Sequence, residues 1–279
     1  MSLRSKNPLV SVMMPAFNAE QFLPAALDSL LAQTYDNWEA VVVDDGSADG
    51  TASVLQKYAA RDARIKPILA AHGGRGRARN LALKHCEGEY VAMLDADDVA
   101  PPDRFIKQTG FLEQNPDFGA VSGQCVSFNG EPLIDRRKLM PWPTDPVEIQ
   151  TSLVRGRMRI LNGGAMLRRR VFEEFGGYRI ELLRAQDYEF FRRLAIGGVR
   201  LGALDDIVLL YRQENLIPSA AYYLESESFK HYANAIHDGY QADFISFQNT
   251  PKGKLLYLMT NIRYGYLCAK LAIRYRRFR

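Results

Sequence analysis

The sequence predicts an α/β fold, with a mainly parallel central sheet flanked by helices and a helical C-terminal extension. Three observations carry this. Apolar runs of strand length alternate with segments of helical period through residues 9–98, the pattern of consecutive βα units. Two of those runs end in clustered carboxylates, where ligands of parallel sheets bind. Residues 219–279 read as helices with no further strand.

The first strand is Leu9–Met14, and Pro15-Ala16-Phe17-Asn18 turns the chain. Phe22, Leu23, Ala26, Leu27, Leu30 and Leu31 fall at helical spacing over 21–33, with Pro24 tolerated in the first turn. Trp38–Val43 is the second strand and ends in Asp44-Asp45-Gly46-Ser47. A helix follows, with Asp49 or Thr51 near its cap. Arg64–Leu69 forms a short third strand, Ala78–His85 a helix and Glu89–Leu94 the fourth strand. Beyond Pro101-Pro102 a helix runs to about Gln114, and Ala120–Phe128 is a strand. Residues 129–150, with Pro132, Pro141, Pro143 and Pro146, read as a long loop. Asn162–Leu167 is a short strand or turn, Arg170–Phe175 and Ala185–Ile196 are helical, and Ile207–Arg212 is the last strand.

No run approaches the ~18 apolar residues of a membrane span. Met1-Ser2-Leu3-Arg4-Ser5-Lys6 lacks the apolar core of a signal peptide. Cys86, Cys125 and Cys268 have no metal-site spacing and no even pairing, which fits reduced thiols. Together these point to the cytoplasm. The net charge of +4 hides an asymmetry. Residues 251–279 contribute +8 and contain no acid, so residues 1–250 carry −4. That tail reads either as an amphipathic helix on anionic lipid or as a helix packed on the main domain.

Asp95, Asp97 and Asp98 follow the apolar run Tyr90–Leu94 within four positions. Carboxylates crowded at a strand end repel unless something positive joins them. A hard divalent cation such as Mg²⁺ or Mn²⁺ takes oxygen ligands, often only one or two from protein, and fills its other positions with water and phosphate oxygens. One such cluster also reads as a polar turn. Asp44 and Asp45 at a second strand end make the metal–phosphate reading stronger. Gly73, Gly74 and Gly76 match neither the dinucleotide nor the P-loop pattern. His72, His85, His231 and His237 lack ligand spacing.

An ordered set of short motifs then stands out: Val10-Ser11-Val12 with Pro15-Ala16-Phe17-Asn18, Val41–Thr51, Gly74 with Ala78-Arg79-Asn80, and Gly88-Glu89-Tyr90 leading to Asp95-Ala96-Asp97-Asp98. Gly163-Gly164-Ala165, Phe175-Gly176-Gly177-Tyr178, Gln186-Asp187-Tyr188-Glu189 and Tyr211-Arg212 continue it. In this order the chain resembles the family 2 glycosyltransferases over roughly residues 8–215. The resemblance implies a GT-A type, Rossmann-like fold. It also implies inverting transfer of a sugar from a nucleotide-sugar, with UDP the expected nucleotide, to a saccharide or lipid-linked acceptor hydroxyl, using Mn²⁺ or Mg²⁺.

Carried over by motif, Pro15 and Phe17 line the nucleobase pocket and Asp45 hydrogen-bonds the base. Arg79 lies beside the nucleotide, Asp95 approaches the ribose with Ala96 next to it, Asp97 is the metal ligand and Asp98 supports it. Asp187 is the general base, with Glu189 the other acid of that segment. Gln213 stands where relatives often carry a His, and Gln186 where an acid often precedes the base. Asp44 reads as a buttress of its loop, and Trp142 as packing or as a platform for an acceptor sugar. The expected organisation is a nucleotide-sugar-binding half over 1–115, an acceptor-binding half over 116–215 and a basic helical extension over 216–279. Two other functions fit less well. A degenerate sugar-nucleotide-binding scaffold would not need Asp45, Asp97 and Asp187, and a nucleotidyltransferase wants a Gly-rich basic signature that is absent around Pro15–Asn18. Nothing in the chain points to nucleic acid.

Overall fold

The computed structural model describes residues 7–213, 220–239 and 244–260. These divide into two compact units, residues 7–178 with 190–213, and residues 179–189 with 220–239 and 244–260.

The first unit is built on one mixed sheet. Strands β1 (Val10–Ala16), β2 (Trp38–Asp44), β3 (Ile65–Leu69) and β4 (Tyr90–Met93) run parallel in the order β3-β2-β1-β4. Helices α1 (Leu23–Leu31), α2 (Thr51–Arg61) and α3 (Arg75–His85) make the crossovers. The two-residue period of the strands decides which face each helix covers. Val10, Val12 and Met14 pack in one cluster with Leu23, Leu27, Leu30 and Leu55. Met13, Val41 and Val43 pack in another with Ala78 and Ala82. Helices on both faces are what a buried parallel sheet requires.

After α4 (Arg104–Gln114) the sheet continues with β5 (Phe118–Phe128). A short β6 (Leu139–Met140) pairs antiparallel with β5. Then come α5 (Pro146–Val154), β7 (Met166–Arg168), α6 (Arg169–Phe175) and α7 (Gln186–Ile196). β7 lies antiparallel between β4 and β5, and β8 (Arg200–Arg212) runs parallel to β5. The long loop expected over 129–150 is a correction. It holds a short 3₁₀ turn at Arg136–Lys138, β6 and the start of α5. Pro146 sits in the first turn of α5, where its missing N–H is no loss, and the Asp145 carboxylate accepts from the Val147 and Glu148 amides. Trp142 packs against the core and exchanges backbone hydrogen bonds with the Gln124 side chain, at 2.8 and 3.0 Å.

At the N-terminal ends of β1 and β2, opposite the acidic strand ends, Glu39 is buried and accepts from Ser11 Oγ, Lys66 Nζ and the Glu87 amide. Burial works to raise its carboxyl, but these donors outweigh it and hold Glu39 below its ordinary 4.5. A depressed folded value means stability that is complete above the ordinary carboxyl range and lost as pH falls through the lowered value. Glu39→Gln is therefore expected to cost about 1.5–3 kcal/mol at pH 7, the range for hydrogen bonds to a charged group. It should also flatten the acid limb of the stability curve, read by urea unfolding between pH 7 and pH 3.

The second unit contains α8 (Ala220–His237), α9 (Phe244–Asn249) and a helical stretch over 251–260. Phe229 stacks on Phe244 at 3.9 Å, and Phe247 is buried beside Tyr232. The segment 179–189, expected within 116–215, groups with these helices: Arg184 pairs with Glu225 at 2.7 Å and Tyr188 Oη bonds Asn234. The expected basic tail over 251–279 lies outside the described residues from 261 onward. Among the described residues no helix is long and apolar enough to cross a membrane.

Candidate active site

The rim of the first unit forms where β2, β1 and β4 end side by side. Ala16 pairs with Asp44, the Asp45 amide donates to Ala16 O, and the Leu94 amide donates to Met13 O. Asp45 and Asp95 therefore flank the exit of β1, which carries half-buried Pro15 and exposed Phe17.

The loops here lace one another. Asn18 sits at φ 47, a conformation its short amide tolerates. Its side chain accepts from the Ala48 amide, and its own amide donates to Ser47 Oγ. The Ala19 amide donates to Thr51 Oγ1 and the Gly50 amide to Glu20 Oε2. Gly46 has φ +74, and a Cβ there would lie 2.6 Å from the His72 amide nitrogen, so glycine is required twice over. The run from Gly46 to Thr51 is thus a bracket for the β1 exit. Asp44 accepts from the Ser47 amide, the buttress expected of it.

Asp45 is buried and its two carboxylate oxygens accept the Gly73 and Gly74 amides, both at 2.8 Å. Those amides open α3, so the carboxylate sits at a helix N-terminus, where negative charge is favoured. Oδ1 keeps a second lone pair for an incoming donor such as a nucleobase N–H. His72 Nδ1 lies 3.0 Å from an Asp45 oxygen, and its ring stands 4.4 Å from Phe17, tilted by 32°. Sequence reasoning gave His72 no role. The only signal was its place just before Gly73-Gly74.

Arg79 is buried on α3, donates to Asp95 at 2.8 Å and lies 5.2 Å over the Tyr178 ring. Asn80 and the Tyr178 backbone exchange two 2.8 Å hydrogen bonds, fixing that ring beneath the guanidinium. Burial tends to raise the Asp95 carboxyl, but Arg79 and Arg75 outweigh it and hold Asp95 below the usual range. Ala96 is buried beside it, and Asp97 is exposed. The rim partly desolvates the Asp97 carboxyl, and this, with the Asp95 charge, pushes it up. Asp98 is buried and pushed well up by that burial, then by Asp97 and Asp95. It accepts from the Arg212 amide at 2.9 Å, while Arg212 Nε donates to Asp97 O.

Beneath this rim lies a polar pair that the sequence did not reveal. Arg104 is fully buried and donates to Met93 O, Ala165 O and Gln108 Oε1, while Gln108 donates to Gly164 O at 2.7 Å. The Gly163-Gly164 turn is thereby pinned under the rim, and a Cβ on Gly163 would come within 3.2 Å of Asp98 Oδ2.

Three crowded carboxylates with raised Asp97 and Asp98 form an oxygen donor set that suits a hard cation. Among the described residues no group of three His, Cys, Asp or Glu side chains forms a metal cage. An ion here would take Asp97 and otherwise water and phosphate oxygens, the usual habit of Mg²⁺.

Asp187 falls in the second unit. It lies in the first turn of α7, half-buried, with Oδ1 accepting the Tyr188 amide at 2.8 Å. Ala185, just before the helix, takes φ 58, a left-handed conformation that strains an alanine. Glu189 is fully buried, with Arg179 at 3.2 Å and His237 at 3.5 Å.

Comparison with known proteins defines the class. The profile of "Glycosyl transferase family 2" matches residues 11–176, more than half of the chain. EpsE of Bacillus subtilis, a glycosyltransferase by name, is 30% identical over 215 residues, which are 76% of this chain and 75% of EpsE. The chain belongs to glycosyl transferase family 2. WfgD of Escherichia coli, named as a UDP-Glc:alpha-D-GlcNAc-diphosphoundecaprenol beta-1,3-glucosyltransferase, is 39% identical over 108 residues, 38% of this chain and 42% of WfgD. The chain spans about half the length, or less, of several curated relatives it matches. Two solved structures share the fold. TarS of S. aureus in complex with UDP-GlcNAc superposes with TM-score 0.61 at 19% identity, covering 90% of this chain and 79% of that one. The mannosyltransferase PcManGT of Pyrobaculum calidifontis, in complex with GDP-Man and Mn²⁺, gives 0.60 at 24%, covering 94% and 75%. The GT-A expectation of a mainly parallel central sheet flanked by helices holds.

Proposed function

We propose that the chain transfers a sugar from a UDP-sugar to a saccharide or lipid-linked saccharide hydroxyl, with inversion. The observation that supports this most is the meeting of Asp45, Arg79, Asp95 and Asp97 around the end of β1, in a chain of this family.

Phe17 and His72 flank the base, and Asp45 accepts its N3–H. Asp95, kept ionised by Arg79, accepts from the ribose hydroxyls, with Ala96 leaving room beside it. Asp97 would hold Mn²⁺ or Mg²⁺, which when bound would supply Lewis-acid stabilisation of the diphosphate leaving group. Arg75, whose charge already reaches Asp95 and Asp97, adds positive potential toward the phosphates. Asp187 takes the proton of the acceptor hydroxyl as it attacks the anomeric carbon from the face opposite the leaving group. The new glycosidic bond forms as the bond to the diphosphate breaks, so the centre inverts in one step. UDP-Glc and the diphosphoundecaprenol-linked acceptor in WfgD's name, and UDP-GlcNAc in the TarS complex, favour UDP as carrier.

A thermal-shift comparison of UDP, GDP, CDP and TDP, each with and without Mn²⁺, tests the reading. A nucleotide at ~100 times its Kd stabilises by about 2.7 kcal/mol. UDP with Mn²⁺ should raise Tm most, and Asp45→Ala should remove the preference for UDP. No response to any nucleotide at millimolar concentration would overturn the assignment.

A further inference from the structure

The second unit leaves an apolar stripe uncovered. Along helical residues 251–260, Gly253 and Thr260 are buried and Leu256 half-buried. Leu255, Leu258 and Met259 lie at i, i+3 and i+4 and so share another face. They are 58, 57 and 49% exposed, and Ile245 on α9 is 70% exposed. Single exposed aliphatic residues need no explanation, but a stripe at helical spacing marks an interaction surface.

In sequence, the segment that carries the stripe has charge of one sign. From Phe244 to Arg279 the sequence holds Lys252, Lys254, Arg263, Lys270, Arg274, Arg276, Arg277 and Arg279, and no acid. Lys252 makes one long contact, 3.7 Å, with Asp238. An apolar stripe amid cations is the composition of a segment that lies in the interface of an anionic bilayer. A second copy of the chain is the poorer occupant, because it would set Lys252 and Lys254 of one cationic segment against those of another.

We propose that the second unit docks the protein on an anionic lipid surface, with Ile245, Leu255, Leu258 and Met259 entering the acyl boundary and the Lys252 and Lys254 side chains meeting lipid phosphates. The proposal is independent of the donor site, so vesicle binding and nucleotide response succeed or fail separately.

The test is flotation of the full chain with vesicles of phosphatidylcholine alone or mixed equally with phosphatidylglycerol, at low and high salt. The protein should float with the mixed vesicles, weakly with the neutral ones, and less at high salt. Leu255→Ser, Leu258→Ser and Met259→Ser combined should weaken binding by about tenfold or more, because three aliphatic groups leave the lipid. The circular dichroism spectrum and the Tm rise with UDP and Mn²⁺ should stay unchanged. Three results would overturn the proposal: no flotation with either vesicle, equal flotation of the triple variant, or a concentration-dependent dimer that the triple variant abolishes.

Discussion

Asp187→Asn is expected to abolish sugar transfer while donor binding survives. Loss of a general base costs about 10²–10⁴-fold in rate, and an amide cannot take the proton of the attacking hydroxyl. Asp187 is suited to the task because it remains half-exposed while the Tyr188 amide orients one of its oxygens. Glu189 cannot substitute: it is fully buried and engaged by Arg179 and His237. Its removal would strand buried charge and act on folding. The measurement is UDP release with a panel of saccharide acceptors, beside the Tm rise with UDP and Mn²⁺. A near-wild-type rate in Asp187→Asn would remove the residue from the mechanism.

Asp97→Asn carries the second large effect. It removes the charged ligand that an ion would use, and with it Lewis-acid stabilisation worth several kcal/mol. Transfer should fall by about 10³-fold, as several kcal/mol imply. The part of the UDP-induced Tm rise that depends on Mn²⁺ should vanish, while the metal-free part persists through Asp45. Asp98→Asn separates placement from ligation. The Asp98 charge is opposed by burial, Asp97 and Asp95, and an asparagine oxygen can still accept from the Arg212 amide, so the substitution should hold or raise Tm yet leave the Mn²⁺ response. If Asp98→Asn and not Asp97→Asn erased that response, the two assignments would exchange.

The parallel half of the sheet was legible because its strands are buried on both faces and its helices have a clean period. The same logic failed over 129–150, where proline density suggested irregular chain. Pro146 instead occupies the position where a helix accepts proline, and β6 is only two residues long. β8 begins at Arg200, well before the expected start at Ile207, and its first half was hidden because Gly202, Asp205, Asp206 and the register shifts against β5 break any period of two. Within the site, carboxylates at strand ends were visible because strand ends are visible. Arg104 was not, since an arginine opening an amphipathic helix normally faces water. His72 became meaningful only when folding set it against Phe17 and Asp45.

Arg212 ends β8, donates to both Asp97 and Asp98, and lies 4.7 Å over Phe22 and 4.5 Å over Phe128. The family profile stops at residue 176, before that strand begins. The profile is therefore shorter than the sheet that shapes the rim. A chain truncated at the profile's edge would carry every acidic residue of the rim, yet its β5 would lack the β8 partner and Asp98 would lose its donor. The rim is complete only at Arg212.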